Sequence, residues 1–232
     1  MTTTTLITGA NKGLGRETAR QLIAAGHTVW VGARDEQRGK EAADQLGARF
    51  VLMDVTSDDS VAAAAAQLRA EAGGLDVLVN NVGIPGGRTP PADVTAADVQ
   101  RVYETNVYGV VRVTHAFLPL LEASAAPVIV NVSSGLGSFG VTTDPDRMEY
   151  AFPTLAYSSA KAAVNMLTSQ YAKALPRLRI NAVDPGYTAT DFNAHRGTQT
   201  IEEGAEIIVA MAQIGPDGPT GGYFDRHGPV PW

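Results

Sequence analysis

The sequence predicts an α/β protein: one doubly wound domain in which a seven-stranded parallel sheet carries helices on both faces. Two observations lead there. Short apolar runs rich in Val and Ile recur between longer, Ala-rich segments of helical length, and strands alternating with helices need crossover connections, hence parallel pairing. The runs are also continuously apolar rather than alternating, as in Val128-Ile129-Val130 and Val77-Leu78-Val79, which is the pattern of strands buried on both faces.

In chain order the strand candidates are residues 6–8, 28–32, 49–53, 76–80, 127–133, 179–183 and 222–224. The first crossover helix is expected over 14–25, the second over 36–46, the third over 57–72 and the fourth over 96–121. Within the third, Ala62 to Ala66 reads as a helix surface of low entropy cost. A further helix around Tyr157 packs into the core, because its small residues and later apolar positions suit close contact. No linker or internal repeat interrupts the 232 residues, so 1–232 is read as a single domain.

Composition removes several classes of function. The chain has 18 basic and 24 acidic residues, a formal charge of −6 and no Lys or Arg cluster, so neither nucleic acid nor an anionic membrane is the expected partner. A small molecule is. With no cysteine there is no disulfide, thiolate ligand or cysteine nucleophile. His115 and His195 lack partners at metal-ligand spacing, so no metal site is predicted, and His195 reads as a solvated loop residue. The start carries no signal-peptide pattern and no apolar run approaches the roughly 20 residues of a membrane span, so a cytoplasmic protein is expected.

In an open parallel sheet, ligands bind beyond the carboxyl ends of the strands where the strand order reverses. After the first strand comes Thr8-Gly9-Ala10-Asn11-Lys12-Gly13-Leu14-Gly15, leading into a helix. Glycines there allow a tight turn, close approach of a pyrophosphate and close helix–strand packing, and the helix N-terminus offers free N–H groups to phosphates. The alternative is a plain strand-to-helix turn. After the second strand, Arg34, with Lys12 and Arg38, suits a ribose 2′-phosphate and so favours NADP(H) over NAD(H); Arg38 alone would pass for a surface cation. Asp35 is expected to cap the next helix. Asp54, before Val55, meets the adenine edge or forms a turn. Asn81-Val82-Gly83 follows the fourth strand where the backbone passes the cofactor.

Tyr157 and Lys161 are four residues apart and leave one helical face. A phenol tuned by an ammonium can exchange a proton with a carbonyl or an alcohol. Alone, the pair also fits an ordinary helix with a half-buried Tyr and a snorkelling Lys.

Together these residues resemble the short-chain dehydrogenase/reductase family along nearly the whole chain. The opening is similar to its TGxxxGxG loop, Asn80 to Gly83 to its NNAG segment, and Asn106 to its helix asparagine. Val130 to Ser134 resembles its strand ending in the catalytic serine, Tyr157 to Lys161 its YxxxK, and Pro185-Gly186-Tyr187-Thr188-Ala189-Thr190 its PGxxxT stretch beside the nicotinamide. Within the family, the segments around Asn11, Arg34 and Glu203 look most like carbonyl reductases that use NADPH. The resemblance implies a Rossmann-type fold and an NADP(H)-dependent oxidoreductase interconverting a carbonyl and an alcohol. Tyr157 would be the proton donor, Lys161 the group lowering its pKa and holding the nicotinamide ribose, and Ser134 the orienter of the substrate oxygen. Asn106 would link Lys161 to solvent through a water. The cofactor set so implied is Gly9, Asn11, Lys12, Gly13, Leu14, Gly15, Arg34, Arg38, Asp54, Val55, Asn81, Val82, Gly83, Tyr157, Lys161, Pro185, Gly186, Thr188 and Thr190.

Two departures stand out. Val82 replaces the family's Ala, and residues 135–156 form a lengthened loop before the catalytic helix. The substrate cleft is expected to be lined by Ser134, Leu136, Phe139, Phe152, Tyr187 and Phe192, a mixed aromatic wall that leaves the substrate open. A homo-oligomer through the helices after Ala96 and Tyr157 is possible, and so is a monomer. The competing readings are an NAD(H)-dependent alcohol dehydrogenase of the same family and a non-catalytic dinucleotide-binding regulator.

Overall fold

The structure, a computed structural model, describes residues 2–87 and 89–232. One sheet runs through it in the order β3-β2-β1-β4-β5-β6-β7-β8. The strands are β1 Thr4–Thr8, β2 Thr28–Ala33, β3 Arg49–Leu52, β4 Val77–Asn80, β5 Val128–Val132, β6 Arg179–Val183, β7 Tyr223–Asp225 and β8 Gly228–Pro229. The first seven are parallel, as expected from their unbroken apolar character. The eighth is an addition: a two-residue strand that folds back antiparallel on β7 and was too short to leave a pattern.

The helices are α1 Gly13–Ala24, α2 Glu36–Leu46, α3 Asp58–Ala72, α4 Ala96–Tyr103, α5 Gly109–Glu122, α6 Phe139–Thr142, α7 Leu155–Ala174 and α8 Ile201–Ala212. They divide into two layers because successive strand residues point to opposite faces. Leu6, Leu78, Ile129 and Ile180 pack with Val61, Leu68, Val113 and Phe117 of α3 and α5. Ile7, Val79, Val130 and Val183 pack with Ala19, Leu22, Ile207 and Ile208 of α1 and α8. In both cores most of these side chains are at or near zero exposure.

Three local features differ from the sequence reading. Ala64 and Ala65 are buried in the α3 face, so the alanine run is part core and part surface. The segment read as one helix over 96–121 is α4 and α5 joined by a π-helical turn, Glu104–Tyr108. The lengthened 135–156 segment is not a bare loop: it holds a 3-10 turn Gly135–Gly137, the short α6 and a second 3-10 turn Met148–Ala151, and α7 already begins at Leu155.

The strand order reverses between β1 and β4, and the site lies there, beyond their carboxyl ends.

Candidate active site

The loop after β1 shapes the floor of the cleft. Gly9 and Gly13 adopt φ of 66° and 55°, a region that strains any residue with a Cβ. At Gly15 a Cβ would stand 2.7 Å from the Gly9 carbonyl oxygen, so glycine is what lets α1 pack against its own strand. The first turn of α1 contains no acidic residue and its N-cap, Lys12, makes no side-chain cap bond, which leaves the positive helix end open to phosphate. Across from it, Thr190 lies 3.9 Å from the Cβ position of Gly13 and Lys12 bridges to Asp191 at 3.0 Å. The loop after β1 and the Pro185 to Thr190 stretch therefore meet beside the open end of α1.

Two of the predicted cofactor residues do structural work. Asn81 donates its side-chain amide to the Thr8 carbonyl at 2.8 Å, bracing the glycine loop. Thr188 is 4% exposed and gives its hydroxyl to the Pro185 carbonyl at 2.9 Å. The larger Val82 fits: its amide donates to the Thr8 hydroxyl at 3.0 Å and its side chain covers Gly9. Asp54 accepts from the Thr56 amide and hydroxyl at 2.9 and 2.7 Å, the turn role left open above. These bonds, outweighing its burial, together with the nearby Arg34 and Arg112 charges, keep its carboxyl below the ordinary range. Val55 is buried and packs on Gly109.

The cations separate by their partners. Asp35 caps α2 by accepting from the Arg38 amide at 3.0 Å, and its carboxylate holds the Arg38 guanidinium at 3.6 Å. Lys12 is engaged with Asp191, which His195 also contacts at 3.0 Å, so that exposed histidine is tethered rather than simply solvated. Arg34 is exposed and makes no salt bridge among the described residues. It is the guanidinium most available to a 2′-phosphate.

At the centre, α7 carries Tyr157 and Lys161 on one face. Lys161 is only 4% exposed, with Nζ 5.7 Å from the Tyr157 ring centre and donating to the Val132 carbonyl at 2.7 Å. The snorkelling alternative is thereby removed. Burial brings its pKa down to about 8, against which the Asp184 charge pulls upward. Burial pushes the Tyr157 phenol up, a hydrogen bond with Ser134 pulls it back, and Asp184 adds to the rise. Ser134, at the end of β5, also accepts from the Leu136 amide at 3.3 Å.

Asn106 lies within the π-helical turn, whose extra residue re-aims its side chain toward the loop after β4. There it accepts from the Ile84 amide at 2.8 Å and donates to the Ile84 carbonyl at 3.0 Å. A Cβ on Gly83 would stand 3.6 Å from Lys161 Nζ and 3.7 Å from Asn106 Oδ1, so that glycine separates the two. Asn106 thus fixes the backbone beside Lys161.

Of the expected lining, Phe192 packs on Tyr157 with ring centres 5.5 Å apart and Phe152 meets Tyr187 at 6.5 Å. Leu136 is half-buried beside Ser134. Phe139, by contrast, is 73% exposed on α6, next to Gly140, whose amide is bonded to the carbonyl of the C-terminal Trp232 at 3.0 Å. Sequence reasoning passed over Asp184 and Glu149, each with a carboxyl oxygen 2.9 Å from where a Gly135 Cβ would stand. The available signal was an acidic residue directly ending a buried apolar strand. Among the described residues no group of three or more His, Cys, Asp or Glu is arranged to hold a metal, and no helix is long and apolar enough to cross a membrane.

Comparison with known proteins follows the same lines. The family described as short chain dehydrogenase matches residues 3–201. The "Short-chain dehydrogenase anuI" of Penicillium roqueforti is 38% identical over 90% of this chain and 88% of its own length. The (-)-isopiperitenone reductase of Mentha piperita is 33% identical over 95% of each, in an alignment of 299 positions, so it carries inserted segments absent from the 232 residues here. Among solved structures, the NADPH-bound carbonyl reductase from chicken fatty liver covers 100% of this chain and 99% of its own at a TM-score of 0.88 and 26% identity. Salutaridine reductase from Papaver somniferum covers 97% and 99% at a TM-score of 0.84 and 28% identity. With the glycine loop, the sheet order and the Ser134, Tyr157 and Lys161 cluster in place, the chain belongs to the short-chain dehydrogenase/reductase family of oxidoreductases.

Proposed function

We propose that this protein reduces an aldehyde or ketone to an alcohol, reversibly, with NADP(H) as its cofactor and Tyr157 as the proton donor. The observation that supports this most directly is the buried Lys161 ammonium 5.7 Å from the Tyr157 ring, beside Ser134 at the carboxyl end of β5. When bound, the reduced nicotinamide supplies the hydride. The chain supplies everything else. Tyr157, held protonated by its burial, presents its phenolic proton to the carbonyl oxygen, general acid help typically worth about 10²–10⁴ in rate. Ser134 shares a hydrogen bond with that phenol and points the substrate oxygen at it. Lys161 holds the ribose and favours the phenolate left behind, while Asn106 keeps the loop at Gly83 and Ile84 in register.

The cofactor choice rests on Arg34, exposed beyond β2 and in no salt bridge among the described residues, while Asp35 is occupied as a helix cap. The chicken fatty liver carbonyl reductase, similar in fold, holds NADPH. The aromatic wall of Phe152, Tyr187 and Phe192 suits apolar carbonyl compounds.

Loss of NADPH absorbance against a panel of aldehydes and ketones tests the reading. Turnover is expected with some of them, and Tyr157→Phe should lower kcat by about 100-fold or more. Full turnover by that variant would sink the mechanism.

A further inference from the structure

Residues 230–232 take no part in the reaction just described, yet they lie against the segment that follows Ser134. The chain reverses from β7 into β8 and continues beside β7, where the Val230 amide donates to the Tyr223 carbonyl at 2.8 Å. Trp232 then stacks on the Tyr223 ring, with centres 5.5 Å apart and planes 21° from parallel. Tyr223 is 2% exposed, so the indole rests on a ring that the core holds fixed.

From that anchor the tail grips the start of α6. The Gly140 amide donates to the Trp232 carbonyl at 3.0 Å, and the Ser138 hydroxyl donates to the Pro231 carbonyl at 2.6 Å. Ser138 is buried, and as the N-cap of α6 its hydroxyl also accepts from the Val141 amide at 3.0 Å. A first-turn amide has no partner within its own helix, and here the tail provides one. Glycine allows the close approach, because a Cβ at Gly140 would stand 2.8 Å from Pro231 Cβ.

The other side of the same segment is seated on α7. A Cβ at Gly137 would stand 2.6 Å from the Lys161 carbonyl carbon. The Gly137 carbonyl accepts from the Asn165 side-chain amide at 3.1 Å, and Asn165 in turn accepts from the Ser133 hydroxyl at 2.6 Å. Ser134 is bonded to this turn twice: its carbonyl accepts from the Gly137 amide at 2.8 Å and its hydroxyl from the Leu136 amide at 3.3 Å. Residues 135–140 are thus clamped between the tail and the helix that carries Tyr157 and Lys161.

We propose that Trp232, with Pro231, is a positioning residue for the substrate side of the site: stacked on Tyr223, it braces residues 135–140 and so holds Ser134 and Leu136 in place. The proposal rests on the reading that Ser134 orients the oxygen of a carbonyl substrate. The glycine loop follows β1 and Arg34 follows β2, on the opposite side of β4 from β5 and the tail. The brace therefore acts on the carbonyl and leaves the grip on the dinucleotide alone.

The test uses the full chain with Trp232→Ala, Trp232→Phe and Gly140→Ala, the last of which puts a Cβ against Pro231 and lifts the tail. Backbone hydrogen exchange is followed by NMR without substrate. The Leu136 and Gly137 amides are expected to exchange about fivefold faster or more in Trp232→Ala and Gly140→Ala, the loss of one hydrogen bond of ordinary strength. Amides of α1 should keep their wild-type rates, and Trp232→Phe, which retains a stacked ring, should restore most of the protection. With a carbonyl compound that the protein turns over, kcat/KM should fall about tenfold in Trp232→Ala and Gly140→Ala. The Kd for NADPH, measured by calorimetry, should stay within about twofold, as for sites that share no contact. Unchanged exchange at Leu136 and Gly137, no recovery in Trp232→Phe, or a loss of NADPH affinity as large as the loss in kcat/KM overturns the proposal. So does a lowered Tm with kcat/KM at its wild-type value, which would make the tail a stabilising element only. Should Trp232→Ala fail to fold, Gly140→Ala decides by the same criteria, since alanine is the better helix former there. Failure of the carbonyl reading would show separately, as absent turnover with every carbonyl, and the exchange rates, which need no substrate, then decide whether the tail braces the turn.

Discussion

At the scale of single residues, Lys161 is where function and stability conflict. A lysine 4% exposed, with its pKa near 8, binds its proton more weakly in the fold than in the unfolded chain, where 10.5 is the ordinary value. The sign follows: the folded state suffers the full penalty below about 8 and is relieved of it as pH rises toward 10.5. A gap of that size corresponds to about 3 kcal/mol, partly offset by the bond to the Val132 carbonyl, worth about 1 kcal/mol. Lys161→Met is therefore expected to melt at or above the wild-type temperature at neutral pH, with the advantage shrinking as pH is raised; a lower Tm at pH 7 would contradict this. Activity runs the opposite way, because the ammonium is the useful form. The kcat/KM for NADPH, which reports the ligand-free protein, should fall as pH rises through about 8. None of this could be read from the spacing of Tyr157 and Lys161, since a four-residue interval is the same on a solvated helix and a buried one.

At the scale of elements, the caps and turns were the most legible part of the chain. Asp35 was expected to cap α2 and does, with its carboxylate on the Arg38 amide at 3.0 Å. Asp35→Ala should cost about 1 kcal/mol in a thermal or denaturant melt, and it also frees Arg38 for the cofactor. The glycine loop is equally local: Gly15→Ala would place a Cβ 2.7 Å from the Gly9 carbonyl oxygen, so dinucleotide binding measured by calorimetry should weaken by at least tenfold. The π-helical turn at Glu104–Tyr108 was not legible, and neither was the use of Asn106 to hold Ile84. A single extra residue in a helix leaves no mark on apolar periodicity, and an asparagine's partner depends on which loop the sheet brings beside it. The 135–156 segment was seen to be long, but its three short helical turns are set by contacts such as Ser138 with the Pro231 carbonyl, 2.6 Å apart.

At the scale of the whole molecule, the proposed cofactor site draws on parts of the chain that are distant in sequence, so dinucleotide binding should stabilise the fold. Saturation at 100 times the Kd adds about 2.7 kcal/mol, which for a domain of this size raises Tm by roughly 5–10 °C. Arg34→Ala should lose most of the rise given by NADP+ and keep that given by NAD+; equal losses for both would turn the assignment toward NAD(H). The sequence by itself determined the seven parallel strands, the cap at Asp35, the glycine loop and the Tyr157 and Lys161 pair, because each depends on short-range chemistry: apolar runs, side-chain capping, φ freedom and helical spacing. The tertiary structure alone decided which polar groups were occupied and which were free. It tied Lys12 to Asp191 and Arg38 to Asp35 while leaving Arg34 without a salt bridge among the described residues, and it turned the Asn81 amide onto Thr8. It also buried Lys161 and drew Asp184 and Glu149 together across Gly135. The physical reason is that a charge or an amide is defined by its surroundings, and in this sheet those surroundings come from strands and turns far apart along the chain.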